Sequence, residues 1–273
     1  MNIGFVGTGN MGRILIEAFL ESKEIQPGNI TITNRTIEKA YAIQAQHPLI
    51  KVVKTAKEVV QHSDIVFLCV KPLDIHPLLI QLKHDLQPDQ CIVSITSPIS
   101  VEQLESISDC QVARIIPSIT NRALAGVSLF TYGKNCSPKY QQALYELFSA
   151  ISHPIIIDHS ITRIASDIVS CGPAFFSFLL QKFVAAAVKE TNISKETATE
   201  FAGQMIMGMG ELLKKGIFTL PALQEKVCVK GGVTGEGIKV MEAEIGPLFE
   251  HVFQQTHAKF HEDIEQIYQQ FNS

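Results

Sequence analysis

The sequence lacks several features that mark common classes of protein. None of its six cysteines belongs to a Cys-x-x-Cys pair, so we expect buried free thiols in a reducing compartment. It has no long run of like charge, and a net charge of -4 argues against nucleic-acid and anionic-membrane partners. His257 and His261 lie four residues apart without an evident third ligand, so we predict no metal site.

Long unbroken apolar segments are also absent. Gln181 and Lys182 interrupt the longest apolar stretch, so we expect no transmembrane helix. No basic segment followed by an apolar one opens the chain, so we expect no signal peptide and a cytoplasmic protein. The 273 residues are 46% hydrophobic and 18% charged, which is enough for two globular domains or one large one.

Short apolar runs alternate with helical patterns in the first half of the chain. The continuous run from Ile65 to Val70 is typical of a parallel strand that is covered on both faces. A helix is predicted over 75–86, with Pro77 in its first turn. Further strands are predicted at 3–6, 30–33, 52–53, 91–95, 112–116, 127–132 and 155–158. This alternation predicts an α/β domain over residues 1–159, with a doubly wound, mostly parallel sheet.

Helical patterns alone follow, and we predict a second, all-α domain over residues 160–273. Its first long helix, 173–188, is apolar on nearly every side, which indicates burial in a larger body and favours a subunit interface. The next helix, 195–214, contains three glycines, each costing about 1 kcal/mol relative to alanine. Close helix–helix approach is the expected reason for these glycines, which are Gly203, Gly208 and Gly210.

A glycine-rich turn connects the first predicted strand to the first predicted helix. Its residues are Gly7, Thr8, Gly9, Asn10, Met11 and Gly12. The first glycine permits a sharp turn, the second lets backbone approach a pyrophosphate, and the third lets the helix lie near the strand. Free N–H groups at the helix start favour phosphate. The strand–turn–helix context therefore predicts a dinucleotide-binding Rossmann domain.

Two further strand ends are expected at the cofactor. Asn34, Arg35 and Thr36 follow the second strand, where an NAD enzyme places an acidic residue on the ribose 2′-hydroxyl. An arginine grips a 2′-phosphate instead, which favours NADP, with NADPH preferred over NADH. A solvated surface arginine is the alternative. The fourth strand ends at Val70, Lys71 and Pro72, also at the carboxyl edge of the sheet; a simple strand exit is the alternative here.

Substrate contacts are expected from three polar segments. Ser118 follows the strand at 112–116, so its side chain is expected in the same crevice. Cys171 precedes the apolar helix, although Ser170 or Cys171 could simply cap that helix. A glycine-rich loop after Lys230 offers free N–H groups for a carboxylate and a hydroxyl on Thr234. The substrate-binding candidates are Ser118, Cys171, Lys230, Gly231, Gly232, Val233 and Thr234.

Taken together, these pieces resemble the pyrroline-5-carboxylate reductase family from end to end. The matching pieces are Phe5 to Gly12, Asn34-Arg35, Val70-Lys71-Pro72, Gly172 to Phe175 and Gly231 to Thr234. The resemblance implies a helical domain that interlocks with a second subunit, in a dimer or larger ring. It also implies hydride transfer from NAD(P)H to the C=N carbon of pyrroline-5-carboxylate, giving proline. The glycine-rich loop would hold the substrate carboxylate, with Thr234 near the ring nitrogen as the catalytic residue.

Three substrate-side motifs depart from the family pattern. The family usually has Met-Pro-Asn-Thr-Pro where this chain has Ile116 to Thr120, and Ser-Gly-Ser-Gly-Pro-Ala where it has Val169 to Ala174. It usually has Ser-Pro-Gly-Gly where this chain has Val229 to Gly232. With these departures, the chain is most similar to the divergent branch called ComER, encoded beside the late competence genes of bacilli.

The leading interpretation is an NADPH-dependent reductase of a cyclic imine, converting 1-pyrroline-5-carboxylate to proline or carrying out a related reaction of proline biosynthesis. A regulatory NADP-binding protein with little or no turnover is the alternative. A hydroxyacid dehydrogenase ranks last, because Lys182 and Lys189 do not follow that family's motif. Lys230, which replaces a proline, could bind a second carboxylate or disfavour a cationic iminium. The expected partners are a small-molecule substrate and a second copy of the chain.

Overall fold

The computed structural model describes residues 1–272 and contains one eight-stranded sheet in the order β3-β2-β1-β4-β5-β6-β7-β8. Every neighbouring pair is parallel except β6 with β7, which is antiparallel. The strands are β1 (Ile3–Val6), β2 (Ile30–Thr33), β3 (Lys51–Val52), β4 (Ile65–Leu68), β5 (Cys91–Ser94), β6 (Gln111–Ile116), β7 (Val127–Tyr132) and β8 (His153–Ile156). This is the doubly wound Rossmann order, so the predicted fold class is confirmed. The predicted strands are all present: three have the predicted ends, and the ends of the other five differ by at most two residues.

Side chains alternate between two apolar layers, one on each face of the sheet. In β1, Phe5 packs in one cluster and Val6 in the other, as the two-residue period of a strand requires. Phe5 stacks on Phe67 of β4 with ring centroids 5.0 Å apart. The helices of this part are α1 (Asn10–Glu21), α2 (Ile37–Gln46), α3 (Ala56–Gln61), α4 (Pro72–Leu82), α5 (Val101–Glu105) and α6 (Pro138–Ser149). Because both faces are covered, the carboxyl edge of the sheet is left for a ligand.

Helix α4 begins earlier than the sequence pattern predicts. It starts at Pro72, directly after Lys71, whose backbone is extended. Proline suits the first position of a helix because its missing N–H would be unpaired there anyway. Pro77 therefore lies inside the helix, and its placement in the first turn is wrong.

Compactness divides the chain into two units. The first contains Met1–Pro173 together with the C-terminal segment from Gln255, and the second is Ala174–Gln254. The later helices are α7 (Thr162–Ser166), α8 (Gly172–Glu190), α9 (Lys195–Lys214), α10 (Leu220–Val227), α11 (Val233–Ile245) and α12 (Leu248–Phe271). The predicted all-helical character of this part is confirmed. The boundary between residues 159 and 160 stays a prediction, since α12 returns to the first unit, where Ile267 is buried.

A π turn, Asp167–Cys171, connects α7 to α8 without a break in the helix. The interpretation of Ser170 or Cys171 as an N-cap of α8 is therefore wrong, because both residues already have helical backbone. The helical run His159–Glu190 contains an 18-residue window with a mean hydropathy of 1.5, and it is long and apolar enough to cross a membrane by those criteria. The expected absence of such a helix is not confirmed, and length and composition do not distinguish lipid from a protein partner.

Apolar surface is exposed on α8 and α9 within the second unit. Phe176, Phe178 and Phe183 of α8 are 57–64% exposed, as is Phe201 of α9 at 63%. A Cβ added at any of the three glycines of α9 would meet no atom of residues 1–272 within 4 Å. The helix approach predicted at these glycines is not supplied by the described part of this one chain, so it stays a prediction, and the apolar helix is not buried within one chain.

Candidate functional site

The glycine turn between β1 and α1 has three different environments. Gly7 has a φ of +103°, and a Cβ there would overlap the Cys69 carbonyl oxygen. A Cβ on Gly12 would overlap the carbonyl oxygen of Gly7, so α1 lies directly against the turn. A Cβ on Gly9 would meet nothing within 4 Å in the part of the chain that the structure describes. The turn thus requires glycine at two positions for its own backbone, while Gly9 leaves open space where a phosphate would approach.

Asn34 joins this turn to the end of β2. Its Oδ1 accepts a hydrogen bond from the Thr8 N–H at 2.9 Å, and its Nδ2 donates to the Thr36 carbonyl at 2.9 Å. The Gly7 N–H also donates to the Thr33 carbonyl at 2.9 Å. The amide of Asn34 therefore serves first to set the distance between the two loops.

A crevice of about 830 Å³ lies at the carboxyl edge of β1, β2 and β4. The predicted cofactor residues that line it are Gly7, Gly9, Asn34, Arg35, Thr36, Val70 and Lys71. The other predicted ones lie beside it in the same turns and do not line it within the described chain; they are Thr8, Asn10, Met11, Gly12 and Pro72. The structure thus brings the first three predicted segments together at one crevice.

Two cations of the crevice were missed by the sequence analysis. Lys39 lies in the first turn of α2, four residues after Arg35, and Lys54 lies two residues after the end of β3. With Arg35 and Lys71 they make four cations around the crevice against one carboxylate, Asp74. The rule that ligands bind at the carboxyl ends of parallel strands could have predicted Lys54, because Lys54 lies just beyond the carboxyl end of the edge strand β3.

Arg35 is available to a ligand. Its side chain is 86% exposed, and its Nη1 lies 3.9 Å from Asp74 Oδ2. An exposed pair at this distance contributes little. Asp74 therefore offsets little of the positive charge of Arg35, and this part of the crevice favours binding of an anionic group.

Arg114 of β6 is a buried cation that the sequence analysis also missed. It is 1% exposed, and its guanidinium donates to the Ser97 carbonyl at 3.1 Å, to Thr131 Oγ1 at 3.2 Å and to Thr162 Oγ1 at 2.8 Å. Burial lowers the pKa of Arg114 to about 10, and the charge of Glu102 opposes that shift. Arg114 connects the loop after β5 to the start of α7 within the first unit.

Ser118 and Cys171, the substrate candidates of the first unit, lie in neighbouring segments. Ser118 is 1% exposed, and its hydroxyl donates to the Val169 carbonyl in the π turn at 2.8 Å. Cys171 is half-buried at the end of that turn, and Arg163 Nη2 lies 3.5 Å from its sulfur. Burial raises the pKa of the Cys171 thiol, while Arg163 acts in the opposite direction. The thiol is therefore neutral and a poor nucleophile.

The other substrate candidates lie together in the second unit. Gly231 has a φ of +74°, and Gly232 is the N-cap of α11. The glycine-rich loop is shorter than its sequence suggests, since α11 begins at Val233 and includes Thr234 in its first turn. Lys230 is exposed, and Val233 is 89% exposed. Unpaired N–H groups at this helix start are suited to a carboxylate.

Comparison with known proteins agrees with this fold. Residues 2–98 match the model described as NADP oxidoreductase coenzyme F420-dependent, and residues 160–263 match the model described as pyrroline-5-carboxylate reductase dimerisation. The chain has the TM-score 0.83 with the crystal structure of Plasmodium falciparum pyrroline carboxylate reductase with NADP bound, at 21% identity over 97% of this chain and 98% of that one. The two matched regions, residues 2–98 and 160–263, thus correspond to an oxidoreductase domain and a dimerisation domain.

Proteins with similar sequences identify the family to which the chain belongs. ComE operon protein 4 of Bacillus subtilis is 56% identical over 272 residues, covering 100% of both chains. Pyrroline-5-carboxylate reductase 3 of the same organism is 28% identical over 97% of both. The chain belongs to the pyrroline-5-carboxylate reductase family. The predicted resemblance to this family and to its ComER branch is confirmed.

Proposed function

We propose that this protein is an NADPH-dependent reductase of a cyclic imine, with 1-pyrroline-5-carboxylate to proline as the reference reaction. The observation that carries the proposal is the glycine turn beside a crevice with four cations, in a chain of this family. Arg35, Lys39 and Lys54 supply positive charge where an NAD enzyme would have a carboxylate. They support binding of a 2′-phosphate, and therefore NADPH over NADH.

The chemistry asks little of the side chains. NADPH, when bound, supplies the hydride, and the chain must bind and orient the imine. The Gly232 N–H already donates to the Val229 carbonyl at 2.9 Å, so the N–H groups of Val233 and Thr234 at the start of α11 would hold the substrate carboxylate, in the loop that the family resemblance implies. Thr234, in the same turn, would place its hydroxyl near the ring nitrogen, where it both donates and accepts hydrogen bonds.

The direct test is nicotinamide absorbance during incubation of the full chain with pyrroline-5-carboxylate and NADPH, with NADH alongside. We expect turnover with NADPH, and a roughly fivefold lower kcat for Thr234→Val, because one neutral hydrogen bond contributes about 1 kcal/mol. Thr199→Val is the matched control, since Thr199 is exposed and its hydroxyl donates to the Lys195 carbonyl of its own helix, α9. If the wild type turns over and Thr234→Val has the same kcat, Thr234 has no role in the mechanism.

A regulatory NADP-binding protein is the second candidate. The observation that favours it is the hydroxyl of Ser118, which is buried and already bonded to Val169, at a position where the family usually has asparagine. Tight NADPH binding with no oxidation across cyclic imines and 2-oxo acids would favour this candidate. Measurable turnover on any of them would exclude it.

Lys230 tests the substrate class. It is exposed at the loop before α11, and it replaces the proline usual in the family. If Lys230 binds a second carboxylate, Lys230→Pro raises the KM for a dicarboxylic imine and leaves the KM for pyrroline-5-carboxylate within about twofold. If Lys230 instead repels an iminium, Lys230→Pro lowers the KM for pyrroline-5-carboxylate severalfold. We expect the first result. A lysine in contact with a carboxylate attracts it more strongly than a solvated lysine repels a more distant iminium, because the Coulomb energy falls with distance and with the dielectric constant. Unchanged KM values for both would remove Lys230 from substrate choice.

We also propose a homodimer or larger homo-oligomer through the helices of the second unit. The dimerisation model covers residues 160–263, and the exposed phenylalanines of α8 and the open glycines of α9 are surfaces that a second copy would cover. A protein partner, rather than lipid, then accounts for the apolar run His159–Glu190. A cytoplasmic location and the absence of nucleic-acid partners stay predictions.

The oligomer can be broken by design. Light scattering after size exclusion is expected to give at least twice the 30.1 kDa chain mass for the wild type and the monomer mass for Phe183→Asp combined with Phe201→Asp. Each phenylalanine is more than half exposed in one chain, so the charges should not disturb its own core. Leu49→Asp is the control, because Leu49 is 72% exposed in the first unit. A wild type of monomer mass would contradict the proposal.

A further inference from the structure

Two reciprocal hydrogen bonds join the loop after β6 to the π turn. Ser118 Oγ donates to the Val169 carbonyl at 2.8 Å, and Ser170 Oγ donates to the Pro117 carbonyl at 2.8 Å. Each serine hydroxyl therefore binds the backbone of the opposite segment. Fifty-one and fifty-three residues separate the partners along the sequence, so these bonds hold distant parts of the first unit.

The Ser118 side of this bridge is fixed before any ligand arrives. The Ser118 N–H donates to Asn121 Oδ1 at 2.8 Å, and Thr120 Oγ1 lies 2.9 Å from Ser118 Oγ as a donor. A hydroxyl can donate one hydrogen bond, and the Ser118 hydroxyl donates its hydrogen bond to the Val169 carbonyl. Direct donation from Ser118 to a substrate would thus require the bridge to open.

The π turn is held from its other side as well. The Asp167 side chain is fully buried and accepts from Arg163 Nη2 and from Thr256 Oγ1 of α12, both at 2.8 Å. A π turn interrupts the regular i→i+4 pattern of a helix, and such turns occur often at functional sites. The segment that ends at Cys171 is therefore fixed between α12 and the loop after β6.

Both bridging hydroxyls are particular to this chain's departures from the family pattern. Ser118 stands where the family usually has asparagine, and Ser170 stands where it usually has glycine, which has no hydroxyl. The loop after β6 leaves the sheet at its carboxyl edge, because β6 is parallel to β5. This is the edge that carries the cofactor crevice.

We propose that Ser118 and Ser170 are positioning residues for substrate selection, which hold the π turn and its Cys171 in one arrangement at the substrate end of the first unit. The inference deepens the proposed imine reductase and rests on it. A turn fixed by two bonds presents one shape to the substrate ring, so it discriminates strongly between rings of different size. A loosened turn adapts to both, at the cost of ordering itself on binding.

The test compares the full-length wild type with Ser118→Ala, Ser170→Ala and Ser170→Thr, which keeps the hydroxyl. Steady-state kinetics are measured with a five-membered ring, pyrroline-5-carboxylate, and a six-membered ring, piperideine-6-carboxylate. Ser63→Ala is the matched control, since Ser63 is also buried and its hydroxyl also donates to a carbonyl, that of Val59. Hydrogen exchange of the peptide over 166–174 and the Kd for NADPH are measured on each variant.

In both alanine variants, we expect the KM for the preferred ring to rise at least fivefold with kcat within about twofold, and the ratio of kcat/KM between the two rings to move toward unity. Exchange over 166–174 should rise, the Kd for NADPH should stay within about twofold, and Ser170→Thr should restore the wild-type ratio. A lower melting temperature in Ser63→Ala without a change in that ratio would show that lost stability alone does not alter selection.

Each other outcome overturns the inference in a recognisable way. Turnover by the wild type with an unchanged ratio in the alanine variants overturns the role of the serines and leaves the reductase proposal standing. A fall in kcat alone, with KM and the ratio unchanged, also overturns selection. No turnover by the wild type on either ring overturns the reductase proposal, and the inference about selection with it.

Discussion

Arg35→Ala is expected to raise the Kd for NADPH about 30-fold while changing the Kd for NADH less than about threefold. A charge-assisted hydrogen bond contributes about 1.5–3 kcal/mol, and about 1.4 kcal/mol corresponds to a factor of ten. Arg35 is 86% exposed and only loosely paired with Asp74, so its guanidinium is free to turn toward a 2′-phosphate. NADH has no such phosphate and loses nothing comparable.

Adding Lys54→Ala to Arg35→Ala should weaken NADPH binding further, and raised salt should reduce the difference from the wild type, because screening weakens exposed charges. Lys83→Ala is the control, since Lys83 is an exposed cation that does not line the crevice. Binding is measured by nicotinamide fluorescence. An equal loss of affinity for NADPH and NADH in Arg35→Ala would show that the 2′-phosphate lies elsewhere.

Gly9→Ala and Gly12→Ala should separate cofactor binding from folding. For Gly9→Ala we expect a loss of NADPH affinity of about 100-fold or more with little change in Tm, since its Cβ would meet nothing within 4 Å of the chain but would occupy the space that the second glycine leaves for the pyrophosphate. For Gly12→Ala we expect a free energy of unfolding lower by about 2–3 kcal/mol, because overlap with backbone forces a shift of packed structure.

Gly28→Ala is the matched control, since a Cβ there also meets nothing within 4 Å and Gly28 does not line the crevice. Thermal unfolding and NADPH titration are measured on all three variants. A Gly9→Ala protein that binds NADPH as the wild type does would exclude close approach of the pyrophosphate at Gly9. A Gly12→Ala protein of unchanged Tm would show that α1 shifts away from the turn at little cost.

Local patterns in the sequence predicted most of the sheet. The apolar run of β4 and the glycine turn are short-range signals, so both were found with small errors at their ends. The bridge between Ser118 and Val169 was not predictable, because it depends on segments 51 residues apart. Spacing placed Ser118 at the right edge of the sheet, but the direction of its hydroxyl depends on the π turn, and no sequence pattern marked that turn.

The apolar pattern of α8 shows another limit of local reasoning. Its sequence predicted burial, which is a statement about the side chains, while the structure of one chain leaves Phe176 64% exposed. Composition says that such a surface needs a cover and does not say which molecule supplies it. For the same reason the glycines of α9 predicted close approach of a helix but not which chain supplies it, and the described part of this chain supplies none within 4 Å.

The return of α12 to the first unit has a consequence for the order in which the protein is made. Residues after Gln255 emerge from the ribosome later than the whole second unit, yet Ile267 is buried in the sheet's apolar layer, and the ring of Phe271 lies 4.6 Å from that of His76. N-terminal domains generally fold first during synthesis. In this chain the apolar layer of the Rossmann unit therefore stays incomplete until the residues around Ile267 have emerged, which is after all of the second unit has been synthesised.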